Sequence, residues 1–177
     1  MAVRPNNWRA IVARNRDNPI NRRPPTRFPY VEEIMRDPAV IAALDQAWRD
    51  TNADTIPVTA AAEQGGWIYM NLQTGRLTIL RQSNPLRPPL RPGENQQGAF
   101  NISLDPCPIV AGSVLVAYFH THPSVPFSGA SDPDRNLGRL HGVPGIVRGR
   151  GGQYDFTGPE RRAGDFNSAS RHPGFPP

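Results

Sequence analysis

The stretch VLVAYFHTHPSVPFSGASDPD, residues 114–134, decides the fold. GSVLVAYF is the strongest strand signal in the chain, β-branched and aromatic with no breaker inside. Two histidines follow it directly. Side chains alternate across a strand, so residues two apart share a face. If the extended backbone runs on through His120 and His122, both imidazoles project to one side, and Pro123 then ends the strand. Beyond it, SDPDRNLGRLHG reads as a short helix with Ser131 as N-cap and Pro133 in the first turn. Asp134 then falls at the third helical position, where the loop from the strand can carry it back over the strand end.

Working outward, the rest of the chain supplies strands and one strong helix. RDPAVIAALDQAWRDTNAD places Asp37 at an N-cap and Pro38 at the first helical position, with Ile41, Leu44 and Trp48 as a core stripe. GWIYMNL and RLTIL form a hairpin through QTG, and AFNISL suggests one more strand. VPGIVRG and QYDFTG, joined through RGG, predict a second hairpin. The expected class is α/β (α+β): a central mixed β-sheet flanked by helices, with extensions rich in proline and arginine.

Composition marks those extensions. The chain has 177 residues, and its 21 prolines and 16 glycines make up more than a fifth of it. They concentrate in an N-terminal arm (1–30), a loop or insertion (81–98) and a C-terminal tail (159–177), leaving 31–158 as the expected folded domain. The 81–98 segment is long for a compact domain and reads as an insertion or a functional flap. All 20 basic residues are arginine, and the net charge is +5. Arginine-biased codons account for this; a surface without side-chain amines would also escape acylation and ubiquitin-like conjugation. Seven arginines in the arm would suit nucleic acid or another acidic partner, although its aromatics do not interleave with them. A single cysteine, Cys107, excludes a disulfide framework and a multi-thiolate metal site, and LDPCPIV suggests that it packs as a small hydrophobe. No long apolar segment and no secretory signal are visible, so the expectation is a cytoplasmic protein without a membrane span.

Two imidazoles on one face and a carboxylate at a helix start suit a small divalent cation. A catalytic zinc site has three protein ligands and one open position, so His120, His122 and Asp134 would complete the protein's share. A carboxylate near the metal-bound water would act as general base. Glu63 is the candidate, because the two glycines after it allow backbone to approach closely.

Taken in order, EQGGWIY, FHTHP and SDPD resemble the signature of the JAMM zinc metalloproteases, the MPN-plus or JAB-domain family: a glutamate, then HxHP, about eight residues, and SxxD. The resemblance covers roughly residues 37–157 and is closest to prokaryotic members. It implies a JAB/MPN-like (cytidine-deaminase-like) fold and one Zn2+ per chain held by His120, His122 and Asp134. Glu63 would hold and deprotonate the catalytic water, and Ser131 would stabilise the oxyanion. The implied reaction is hydrolysis of a peptide or isopeptide bond without a covalent enzyme intermediate, on a protein or peptide substrate that in some members is ubiquitin-like. The chain departs from the family in lacking the long insertion of ubiquitin-chain-specific members, so substrate preference does not carry over. The alternatives are an MPN-type scaffold with an idle site, and a toxin or effector domain whose arginines bind an acidic partner. His141 and His172 do not fit the motif and are expected to be structural or solvent-facing.

Overall fold

The computed structural model describes residues 29–56, 61–85, 102–123 and 129–157. The arm up to residue 28, positions 86–98 of the proline-rich segment, the tail and His172 lie outside them.

Chain order is α1 (Val31–Ile34), α2 (Pro38–Asp50), β1 (Gly65–Asn71), β2 (Leu77–Gln82), β3 (Ser113–His122), α3 (Asp132–His141), β4 (Gly145–Gly149) and β5 (Tyr154–Thr157), with a 3-10 turn at Arg150–Gly152. The five strands form one mixed sheet in the order β2-β1-β3-β4-β5. Only β3 and β4 are parallel, joined by the crossover through α3; the other pairs are antiparallel. Helices flank the sheet, as the patterning predicts. The short α1 is an addition: its first turn is held by Glu33, whose carboxylate accepts the Tyr30 N–H at 2.6 Å. Two boundaries differ from expectation. Arg81 and Gln82 belong to β2 rather than to the proline-rich segment, and residues 102–104 of AFNISL are not in a strand.

Local chemistry explains the elements. Asp37 caps α2 by accepting the Ala39 N–H at 2.8 Å, with Pro38 in the first turn. Val40, Leu44, Ala47 and Trp48 are buried along one stripe, with Ile41 packed beside them. In the β1–β2 turn, Asn71 Oδ1 accepts the N–H groups of Gln73 and Thr74, both at 2.9 Å, and Gly75 takes a positive φ.

The two faces of the sheet bury different things. On one, Ile68, Met70, Val114, Val116, Phe119, Ile146, Tyr154 and Phe156 pack with α1 and α2 in the main core. On the other, Trp67, Tyr69, Leu115 and Tyr118 pack with Leu104, Cys107 and Val143. Strand β3 changes phase midway. Ile68 pairs with Ala117 but the next residue, Tyr69, pairs with Leu115, leaving Val116 as an extra residue on β3. This bulge lets Val116 and Ala117 both join the main core. Before it, the even-numbered residue Val114 faces that core; after it the odd-numbered Phe119 does, and Tyr118, His120 and His122 turn to the α3 face.

Arginines tie α2 to the sheet. Arg81 donates through three different nitrogens, to Gly65 O at 3.3 Å, Ala43 O at 3.4 Å and Asp50 Oδ2 at 3.0 Å. Arg148 pairs with Asp45 and stands 5.9 Å from the ring centroids of both Trp48 and Tyr154. A forked, planar guanidinium makes these contacts, and a lysine ammonium does not reproduce them. Part of the arginine usage is therefore structural.

Candidate metal centre

The site lies where the C-terminal end of β3 meets the N-terminus of α3, with the segment before β1 alongside. Strand geometry persists through His122, and both imidazoles are buried on the α3 face. Their Nε2 atoms lie 3.1 Å apart. Ser131 caps α3 and Asp134 is its third residue, and the two form a reciprocal capping box: Asp134 Oδ2 accepts from the Ser131 N–H at 2.6 Å and from its hydroxyl at 2.7 Å. That box aims the carboxylate at the histidines. Oδ1 is 3.0 Å from His120 Nε2 and Oδ2 is 3.4 Å from His122 Nε2. Below, the Tyr118 ring stacks on His120 with centroids 6.5 Å apart, and its hydroxyl donates to Asp134 O at 2.6 Å.

Glu63 reaches the same spot. Its Oε1 stands 3.6 Å from His122 Nε2, while Oε2 accepts the Ile102 N–H at 3.1 Å. The next residue anchors it: Gln64 N donates to Thr121 Oγ1 and Gln64 O accepts from Thr121 N, both at 2.9 Å. The two glycines that follow are required by close packing. A Cβ at Gly65 would collide with the Phe119 carbonyl on β3, and one at Gly66 with the Leu80 carbonyl on β2.

His120, His122 and Asp134 could hold a metal ion: one ligand atom from each lies within 4.8 Å of the other two. The fit can be tested on edge lengths. Metal–ligand bonds of about 2.0–2.1 Å in a tetrahedron put neighbouring donors about 3.3 Å apart; the two Nε2 atoms are 3.1 Å apart, and the Asp134 carboxylate reaches one of them at 3.0 Å through Oδ1 and the other at 3.4 Å through Oδ2. The orientation of His122 fits as well. Its Nδ1 lies 2.9 Å from Gly129 O, which can only accept, so Nδ1 carries a proton and Nε2 is the atom left to bind a metal.

The electrostatics separate the two carboxylates. Burial disfavours the Asp134 anion, but hydrogen bonds from His120, His122 and Ser131 overcome it and hold the carboxyl well below its ordinary range. Burial dominates at Glu63 and raises its pKa, and the two histidines and the Ile102 N–H only partly oppose it. At His122, burial is outweighed by Asp134 and Glu63, and the imidazole is shifted upward. One carboxylate is thus firmly ionised, as a ligand requires, and the other has gained affinity for a proton, as a base requires.

Two other singled-out residues, Cys107 and His141, are buried. Cys107 is buried against Tyr69, 3.1 Å from its hydroxyl, and burial pushes its thiol up, away from the nucleophilic thiolate. His141 is buried with its ring 6.3 Å from that of Tyr118. Among the described residues, no helix is long and apolar enough to cross a membrane. Sequence reasoning does not find Ile102, Gly129 or Tyr118, because each acts through a backbone group or a stacking contact that no spacing encodes.

The bulge yields a test of how the histidines are aimed. Deleting Val116 makes the ladder regular, with Ala117 following Leu115, and leaves His120 and His122 on the α3 face. The variant should lose the burial of one valine, about 1.5–3 kcal/mol, and should match the parent in metal content. Urea denaturation and metal analysis check this; a folded deletion variant that lacks a metal the parent holds contradicts the assignment of the extra residue.

No family model, curated protein or solved structure matches this chain.

Proposed function

We propose that this chain is a zinc-dependent hydrolase that cleaves a peptide or isopeptide bond by direct attack of water. The observation that carries the reading is the meeting of four side chains from three separate segments: His120 and His122 on β3, Asp134 on α3, and Glu63 before β1 with a carboxylate oxygen 3.6 Å from His122 Nε2. Two imidazoles and one carboxylate match the donor set and ligand count of a catalytic zinc site. Zinc there would supply a Lewis acid and lower the pKa of water to about 7.

The chain's own residues do the rest. Glu63 takes the proton of the attacking water on Oε1, while the Ile102 N–H holds Oε2 in place. It then delivers that proton to the leaving nitrogen. The upward shift at Glu63, caused by its burial, suits a group that must both accept and return a proton. Ser131 donates to Asp134 in the resting arrangement, and its hydroxyl turns to the substrate oxygen as negative charge develops there. The JAMM resemblance supports the choice of an amide bond, and a ubiquitin-like fusion or conjugate is the first substrate to try.

The test is cleavage of fusions carrying ubiquitin-like proteins, before and after chelation and after zinc is restored, with zinc per chain measured on the same samples. About one zinc per chain and chelator-sensitive cleavage are expected. A chain that binds no zinc is a scaffold or binding module instead.

A further inference from the structure

Among the described residues two aspartates are buried, Asp134 and Asp155. The cluster accounts for the first. Asp155 lies on β5 between Tyr154 and Phe156, which pack in the main core, so it points to the α3 face. A buried carboxylate is costly unless it is hydrogen-bonded, and β5 gains nothing as a strand from an aspartate. Its Oδ2 accepts the Ala130 N–H at 2.9 Å.

That N–H belongs to the same peptide unit as Gly129 O, the atom that pairs with His122 Nδ1 at 2.9 Å. A trans peptide is planar, and its N–H and C=O point in opposite directions. Asp155 therefore grips one edge of a rigid plate whose other edge faces the imidazole. Gly129 adopts φ +76°, and a Cβ there would strike Asp155 Oδ2, so a glycine is needed for the plate to sit between carboxylate and ring. The arrangement is a carboxylate–histidine pair with a peptide inserted between the partners. Direct pairs of that kind fix the tautomer and raise the basicity of ligating histidines. Hydrogen bonds in series polarise one another, so the charge on Asp155 strengthens the acceptor at Gly129 O.

We propose that Asp155 is a positioning residue for His122: acting through the Gly129–Ala130 peptide, it keeps the proton on Nδ1 and presents Nε2 to the metal cluster. Its effect on affinity rests on the metal reading above; its effect on the imidazole does not.

The experiment uses the full chain with 15N-labelled histidine. In the metal-free protein, His122 should give a slowly exchanging Nδ1–H resonance. Asp155→Asn keeps an acceptor oxygen but loses the charge, and should retain that resonance with faster exchange. Asp155→Ala should lose it and show mixed tautomers. Zinc affinity by chelator competition should fall about 10–100-fold in Asp155→Ala and by less in Asp155→Asn. Gly129→Ala, which displaces the plate with the carboxylate intact, should act like Asp155→Ala. Phe156→Leu, on the same strand but facing the main core, should lower stability and move neither readout. Wild-type resonance and affinity in Gly129→Ala, or in a folded Asp155→Ala, overturn the inference, as do losses of equal size in Phe156→Leu. If the parent binds no zinc but its Nδ1–H depends on Asp155, this inference stands and the metal reading falls.

Discussion

Glu63→Gln is expected to lower turnover by about 10²–10⁴-fold while leaving zinc content and thermal stability near those of the parent. The substitution is conservative in every contact except one. A glutamine carbonyl can still accept the Ile102 N–H that Glu63 Oε2 accepts at 3.1 Å, and the Gln64–Thr121 pair that anchors the segment is untouched. What disappears is a group able to take a proton beside His122. Neutralising position 63 also removes a negative charge 3.6 Å from His122 Nε2, so zinc affinity should stay the same or fall slightly. The check is kcat against zinc per chain for parent and variant on one fusion substrate. Equal cleavage removes Glu63 as the base while leaving the metal cluster standing. A parallel loss of zinc and activity would mean instead that residue 63 holds the metal.

The parts of this arrangement that were legible in the sequence are those with local causes. Asp37–Pro38 and Ser131–Pro133 announce two helix starts because capping needs a particular side chain within a few positions. The period-two spacing of His120 and His122 places them on one face whatever surrounds them. The face itself is another matter. Continuing the alternation from Val114 and Val116 would send both histidines into the core beneath α2, and only the extra residue at the bulge turns them toward α3. Nothing in VLVAYF marks it: there is no glycine, and every residue there suits a regular strand. The bulge is decided by pairing with β1, a long-range contact that leaves no local trace. Likewise the charge on Asp155 hints at a role, but the role depends on a peptide 25 positions earlier in the chain. The reading of AFNISL as a strand fails over its described part, 102–104, for a related reason. Its apolar residues Ile102 and Leu104 are used against the sheet's second face, as a covering segment and not as a member of the sheet.

Asp134 should prove a costly position, because its side chain caps α3 and, on the proposed reading, would also hold the metal. In the metal-free protein its carboxylate accepts from the Ser131 N–H, the Ser131 hydroxyl and His120. Asp134→Ala removes the acceptor for all three in a site where little water can replace it. The loss is that of the capping box and of the donors left unsatisfied, together about 2–4 kcal/mol. Asp134→Asn separates the two functions. Its carbonyl oxygen can still cap α3, so most of that stability should survive, but a neutral amide is a poor third ligand. Zinc binding and cleavage should then be lost in both variants, whereas chemical denaturation of the metal-free proteins should set Asp134→Ala well below Asp134→Asn. If the asparagine variant is as unstable as the alanine one, charge rather than hydrogen-bonding capacity holds the start of α3. If it keeps full zinc affinity, the carboxylate is not a ligand and the two histidines must find their third partner elsewhere.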